Sequence, residues 1–253
     1  RKRFSQIKGG RLIKYVRARQ TRVLLISDVA NNNLADIGSG MLVWDNDKDE
    51  CLSEYPNWMI GYLNHCVTPA KIEKNQFTRV SIKIIASIND ACQAAVNYAI
   101  QQSYVAKKHD VLIDGDAVIS GKVLAQQLIN GSPGLHVWGG ETTVKLPSKP
   151  GCGGRNQSLA LAAACEIAGR NNVFILAGAT DGTDGPTEFA GALVDGGTRQ
   201  RGILHGLDAK TCLNAADAGS FLWASDDLLQ TGPTGTNVMD LMLGLKLNVN
   251  NTV

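Results

Sequence analysis

The stretch that decides the fold runs from Gly153 to Gly185 and reads GGRNQSLALAAACEIAGRNNVFILAGATDGTDG. A glycine pair and the polar triplet Arg155-Asn156-Gln157 open into an alanine- and leucine-rich run, which predicts a helix over 157–169. Val173–Gly178 is then a short, continuous apolar run bounded by polar turns, the pattern of a buried strand. Asp181 and Asp184 follow that strand in a glycine-rich turn. Helix, strand and polar loop in quick succession are the repeating unit of an α/β layered fold.

Working outward from this stretch, two more glycine-rich polar loops flank apolar runs. Gly139-Gly-Glu-Thr-Thr-Val144 follows the strand predicted at Leu135–Trp138, and Thr231-Gly-Pro-Thr-Gly-Thr-Asn237 precedes a helix predicted over 237–245. With Gly153–Gln157 and Ala179–Thr187 they make four loops at strand ends, where α/β proteins place their chemistry. Carboxylates, one arginine and many backbone amides point to a phosphate site. A helix start offers unpaired N–H groups to an anion, and the planar fork of Arg155 suits phosphate or carboxylate. Asp181 and Asp184 are spaced to hold a divalent metal or to take a proton from a hydroxyl, although an Asx turn explains Asp-Gly pairs equally well. Glu141 is placed to orient a ligand hydroxyl or to pair with a surface charge. Thr236 or Asn237 can cap the following helix.

The first half has the same rhythm. Arg22–Asp28 predicts a strand that leaves Asp28 at its carboxyl end, 29–50 a long loop, 79–86 a strand, and Cys92–Ile100 a helix capped by Asn89 or Asp90. A strand near 110–113, a helix near 119–130 and a later helix near 208–218 follow. Gly38-Ser-Gly40 lacks the third glycine of a dinucleotide fingerprint. Gly115…Gly121-Lys122 lacks Walker spacing and carries Val123 where a magnesium-binding hydroxyl belongs. The turn Asn130-Gly-Ser-Pro-Gly134, beyond which the glycines concentrate, marks a boundary between a domain at 1–134 and a domain at 135–253.

The chain has 253 residues, 44% of them hydrophobic and 19% charged, which is ordinary for a soluble globular protein. No apolar run approaches the ~18 residues of a membrane span, so the expectation is a cytoplasmic protein without a membrane partner. Cys51, Cys66, Cys92, Cys152, Cys165 and Cys212 are scattered, which favours reduced thiols over a disulfide framework or a zinc site. Residues 1–22 hold nine Lys or Arg and no acid. They are read as a helix with a basic solvated face, with Ile7, Leu12, Ile13 and Val16 inward and Lys8-Gly9-Gly10-Arg11 offering a phosphate contact, in preference to a nucleic-acid arm. The histidines at 65, 109, 136 and 205 have no metal spacing, and neither H-E-x-x-H nor G-x-S-x-G occurs.

Taken in order, the four loops resemble the C-terminal MOFRL domain of the type 2 glycerate kinases, long also labelled hydroxypyruvate reductases. The resemblance extends through Ala190–Asp195 and Gly206-Leu207-Asp208, and upstream to Ile7–Leu12, Ile26–Val29 and Ser87–Ala91. It implies two α/β domains, a three-layer Rossmann-like remnant and a MOFRL α/β domain, with a cleft between them. It implies transfer of the γ-phosphoryl group of ATP, with Mg2+, to the 2-hydroxyl of D-glycerate, and leaves self-association open. Arg155 would bind the transferring phosphoryl group or the glycerate carboxylate, and Asp181 or Asp184 would hold magnesium or act as base. Lys8 is placed with these catalytic groups. Asp28, Gly139, Gly140, Glu141, Thr142, Gly153, Gly154, Asn156, Gln157, Thr234, Gly235 and Asn237 would contact substrate or nucleotide.

The chain departs from the family in three places. The family's N-terminal Gly-x-Gly-Lys-type segment has no match. The family's Ser-Gly-Pro-Thr is Ser39-Gly40-Met41-Leu42, and its Asn-Asn-Asp-Ser is Ala215-Ala216-Asp217-Ala218. These departures motivate an alternative, a catalytically impaired homologue that binds a nucleotide or hydroxy acid. An NAD(P)H-dependent hydroxypyruvate reductase is the third reading, weakened by the missing dinucleotide motif.

Overall fold

The structure, a computed structural model, describes residues 1–44, 55–65 and 72–248. Two compact units divide it, Arg1–Ile85 and Ala86–Val253.

In the first unit the described residues form 3-10 turns at Arg11–Tyr15, Ile37–Ser39 and Lys74–Phe77, helix α1 (Asn57–His65), and strands β1 (Thr21–Ile26) and β2 (Val80–Ala86), paired as a two-stranded sheet. Both strands alternate in exposure, as their sequences predict. The basic helix expected over 1–22 does not form. Gly9 and Gly10 both lie in the left-handed region, at φ 62° and 80°, which ends any helix, and a Cβ at Gly10 would stand 2.6 Å from the Val43 carbonyl oxygen. Of the apolar residues assigned inward, Ile13 is buried and Ile7 is exposed. Arg11 is itself buried, and its guanidinium donates to the carbonyls of Lys2 and Ser5.

The second unit holds a six-stranded sheet in the order β3-β4-β8-β5-β6-β7. Its strands are β3 (Ala106–Lys108), β4 (Gly134–Gly140), β5 (Val173–Ala179), β6 (Gly191–Asp195), β7 (Leu228–Leu229) and β8 (Asp240–Lys246). Only β3 and β4 are parallel; every other pairing is antiparallel. Helices α3 (Ala117–Asn130), α4 (Arg155–Ile167), α6 (Ala209–Asn214) and α7 (Ala218–Ala224) share one apolar cluster with Trp138, Ile175, Val194 and Met242. Helix α2 (Ile88–Gln101) covers the opposite face, over Val137, Leu241 and Leu243. Helix α5 (Thr198–Leu204) precedes α6. The α/β class therefore holds, and the three-layer arrangement belongs to this unit.

Helix α4 is buried around its whole circumference from Asn156 to Ala164, which explains its alanines: a helix enclosed on every side needs small side chains to fit. The compact units meet at 85/86. Residues 86–134 contribute β3, which pairs with β4, and α2 and α3, which pack on the sheet and on α4.

Four sequence expectations are corrected here. Residues 240–246 form strand β8 and not part of a helix over 237–245; at the centre of the sheet it is apolar toward both faces, and a short run of that kind has no distinguishing period. The strand near 110–113 is β3 at Ala106–Lys108, with Ile113 making an isolated bridge to Gly140. The helix near 208–218 is two helices, interrupted where Ala216 takes φ 52°. Helix α2 is preceded by Ser87 at its cap position, in place of Asn89 or Asp90.

Candidate functional site

Strands β4 and β5 run in the same direction with β8 antiparallel between them, and the register sets Gly140, Asp240 and Ala179 in one row. The loop after β4, the loop after β5 and the loop before β8 therefore leave the sheet at one edge. Helix α4 begins at that edge with Arg155 as its first residue. Three of the four glycine-rich loops and the start of α4 thus meet because of strand register.

Arg155 is the hub. Its Nε donates to Asp240 Oδ2 at 2.6 Å and its Nη2 to Asp240 Oδ1 at 3.0 Å, a bidentate pair, while Nη2 also lies 3.2 Å from Glu141 Oε1. Asp240 is fully buried, whereas the Arg155 side chain is 31% exposed and Glu141 48%. Hydrogen bonding to Asp240 holds the arginine more firmly charged than usual, against the opposing effect of burial. Among the described residues Nη1 has no hydrogen-bond partner.

Asp184 does not stand beside Asp181 as a second metal ligand. It is buried, at 1% exposure, and accepts from the backbone N–H of Asn156 at 3.1 Å and of Gln157 at 2.8 Å. Its carboxylate thus occupies the helix start where an external phosphate was expected, since those two amides are no longer free. Gly154 is required beneath it, because a Cβ there would collide with the Asp184 carboxyl. Burial pushes the Asp184 pKa up to about 6, with the Gln157 and Asn156 amides pulling the other way.

The remaining predicted residues sort by burial. Gly139 and Gly140 lie buried within β4, paired with Leu241 and Asp240, so they belong to the sheet ladder and not to a loop. Gly153 is half-buried before α4. Asn156 and Gln157 are fully buried; the Gln157 side chain donates to Thr187 Oγ1 at 2.8 Å. Thr142 is buried, and its Oγ1 has no hydrogen-bond partner among the described residues. Asp181 is half-buried; its Oδ1 accepts from the Thr183 N–H at 3.0 Å in an Asx turn. Thr234, Gly235 and Asn237 are exposed, with Thr234 Oγ1 donating to the Thr180 carbonyl at 2.6 Å. Asn237 caps no helix; its Oδ1 accepts from the Met239 N–H at 2.9 Å. Lys8, half-buried, and Asp28, exposed, belong to the first unit. Lys8 lines a cavity there of about 700 Å³ with Arg1, Arg3, Asp36 and Ser39.

Among the described residues no group of three or more His, Cys, Asp or Glu side chains is placed to hold a metal ion, and no helix is long and apolar enough to cross a membrane. Cys92, Cys152, Cys165 and Cys212 are free thiols; Cys51 and Cys66 lie outside the described residues. Of the alanines that replace the family's polar residues, Ala216 and Ala218 are buried and Ala215 is half-buried, while Asp217 Oδ1 accepts from the Cys152 N–H at 2.8 Å. That segment braces the loop before α4 from within. Sequence reasoning missed Asp240, whose one signal is a lone carboxylate opening an otherwise apolar run.

Residues 134–240 match the MOFRL family, and residues 1–59 match a domain of unknown function, DUF4147. The D-glycerate 2-kinase of Thermotoga maritima is 34% identical over 97% of this chain, and the glycerate 2-kinase of Pyrococcus horikoshii 33% identical over 97%. A crystal structure of the Thermotoga maritima glycerate kinase superposes with a TM-score of 0.80 at 32% identity, over 97% of this chain and 62% of that one. The chain spans 61% and 60% of the lengths of the two kinases.

Proposed function

The chain belongs to the glycerate kinase family, with a MOFRL segment at residues 134–240, and from that premise we propose that it supplies the arginine-bearing part of a site for ATP-dependent phosphorylation of D-glycerate on its 2-hydroxyl, giving 2-phosphoglycerate. The observation that carries this reading is Arg155. It is a guanidinium fixed on one edge by a buried carboxylate, partly exposed, and set where three loops leave the sheet. A fixed, always-charged fork binds a carboxylate or a phosphoryl group with direction as well as charge.

On this reading Arg155 binds and orients the glycerate carboxylate or the transferring phosphoryl group. Phosphoryl transfer depends chiefly on such positioning and charge stabilisation. Asp184 is assigned to holding the start of α4, because both its oxygens face into the protein. Asp181 is then the carboxylate that takes the hydroxyl proton or contacts the metal, since it is half-buried and its Oδ2 accepts no hydrogen bond among the described residues. Magnesium needs only one or two protein carboxylates beside the donor's phosphates, so Asp181 fits it; bound there, it would neutralise phosphate charge. Thr234, Gly235 and Asn237 offer hydroxyl, amide and side-chain groups at the exposed rim. Lys8 and Asp28 remain substrate-contact candidates on the family resemblance. A cytoplasmic location belongs to the same reading.

The test is a coupled assay of the full protein with ATP, Mg2+ and D-glycerate. Formation of ADP and 2-phosphoglycerate is expected, with Arg155→Met lowering kcat/KM by roughly 10²- to 10³-fold, the usual cost of removing one fixed charge-stabilising group. No phosphoglycerate, or full activity in Arg155→Met, overturns the proposal.

A further inference from the structure

We infer that Asp240 is a positioning residue for Arg155, and that the strained turn before β8 exists to deliver it. The inference rests on the reading of Arg155 as the anion-binding group. It assigns a role to a residue and a turn that the family resemblance leaves unassigned.

A carboxylate with no exposed surface is costly unless both oxygens are engaged. Asp240 meets that condition with Arg155, at 2.6 and 3.0 Å. The arginine does not disappear with it: its side chain remains 31% exposed. Nε and Nη2 are spent on Asp240, and Nη1 is left unbonded among the described residues, so the buried partner fixes one edge of the planar group. An arginine on a flexible stem otherwise loses rotamer freedom on binding an anion. One already clamped has given up that freedom in the folded protein.

The backbone before Asp240 shows how the clamp is built. Met239 takes φ 76°, a left-handed conformation that a non-glycine residue adopts only at a cost. Such strain persists where the surroundings fix it several times over. Here the Thr180 hydroxyl donates to the Met239 carbonyl at 2.6 Å, the Thr180 N–H donates to the same carbonyl at 3.1 Å, and the Met239 N–H donates to Asn237 Oδ1 at 2.9 Å. The Val238 N–H donates to Thr180 Oγ1 at 2.9 Å. Thr180 follows β5 and Asn237 precedes β8, so two loops jointly set the angle at which Asp240 enters the sheet row beside Gly140 and Ala179.

The experiment compares the full protein with Asp240→Asn, Arg155→Lys and the double variant. It reads kcat and KM for D-glycerate, the Kd for D-glycerate by calorimetry, and solvent exchange of the Arg155 Nε–H by NMR. Asp240→Asn keeps the shape and one acceptor while removing the charge. Expected are a loss of roughly a hundredfold in kcat/KM, the scale of a small misplacement of a catalytic group, and faster Nε–H exchange. In the Arg155→Lys background the same change is expected to add less than about twofold, because Asp240 acts through the guanidinium. A full, undiminished Asp240→Asn effect in that background, or unchanged Nε–H exchange, overturns the inference. If Asp240→Asn does not fold, Asn237→Ala loosens the turn from outside the buried pair and is expected to speed exchange in the same direction; no change there overturns it as well. Should the unaltered protein neither bind nor phosphorylate D-glycerate, the functional reading fails, and the exchange measurement still decides whether Asp240 holds Arg155.

Discussion

At the scale of single residues, the two carboxylates nearest α4 have opposite electrostatic positions. Asp240 faces a guanidinium, whereas Asp184 faces the backbone amides of Asn156 and Gln157 and the side-chain amide of Asn156, and is buried enough for its pKa to rise to about 6. A folded-state pKa above the ordinary carboxylate value means that the folded chain holds the proton more tightly than the unfolded one. The stability Asp184 contributes is therefore full below about pH 4 and is lost as pH rises through about 6. Asp184→Asn, which resembles the protonated side chain, removes this dependence. In denaturant titrations at pH 4.5 and 7.5, the difference in stability between the natural protein and Asp184→Asn is expected to shift toward the variant at the higher pH, by about 2 kcal/mol. A pH-independent difference would show that Asp184 titrates normally. None of this was legible in the Asp-Gly-Thr-Asp turn, because the spacing of Asp181 and Asp184 carries no information about which of them meets α4. Arg155 was legible because a glycine pair before a strongly helical run fixes where the first side chain of the helix stands.

At the scale of elements, most strands and helices with distinctive periods were read correctly, and the two misread strands lack such a period. β1 and β2 alternate cleanly, α2 follows a helical period, and β4 and β5 end in polar turns. β8 was misread because the centre of a sheet buries both faces. β3 was misplaced because three residues held by one neighbour carry almost no pattern. What supports β3 is partly a ring stack just beyond it. His109 Nε2 lies 3.0 Å from His136 Nδ1, His136 Nε2 donates to the Ser132 carbonyl at 2.9 Å, and His109 lies flat on Trp138 at 4.5 Å between centroids. Burial, then the neighbouring His136 and Lys107, lowers the His109 pKa, with Asp110 opposing. A histidine whose folded pKa is lowered contributes stability above its ordinary value of about 6.5 and loses it as pH falls. His109→Phe keeps a ring on Trp138 without a titrating nitrogen. Between pH 7.5 and 5 its unfolding midpoint is expected to fall less steeply than that of the natural protein, and equal slopes would remove the pair from the account.

At the scale of the whole molecule, the two compact units differ in how they are built. Both buried apolar clusters, the one between α3, α4 and the sheet and the one under α2, draw every member from residues 88–242. The sheet that positions Arg155, Asp240 and Asp184 lies wholly in the second unit as well. The first unit has a two-stranded sheet, a form that is at best marginally stable by itself in water. The sequence marked its boundary by glycine content, near residue 134, which is also where the MOFRL match begins. Composition registers a change in loop chemistry, whereas compactness follows strand pairing and helix packing, and these carry residues 86–134 into the second unit. A fragment covering residues 86–248 is therefore expected to fold alone. It should unfold in one cooperative transition, with coincident far-ultraviolet circular dichroism and tryptophan fluorescence midpoints, because Trp138 reports the same core that the helices enclose. Non-coincident midpoints or a gradual transition would show that the core needs the first unit to close. In the fragment that folds, the Arg155–Asp240 pair should persist, since both partners and the Thr180 and Asn237 groups that hold the turn are retained.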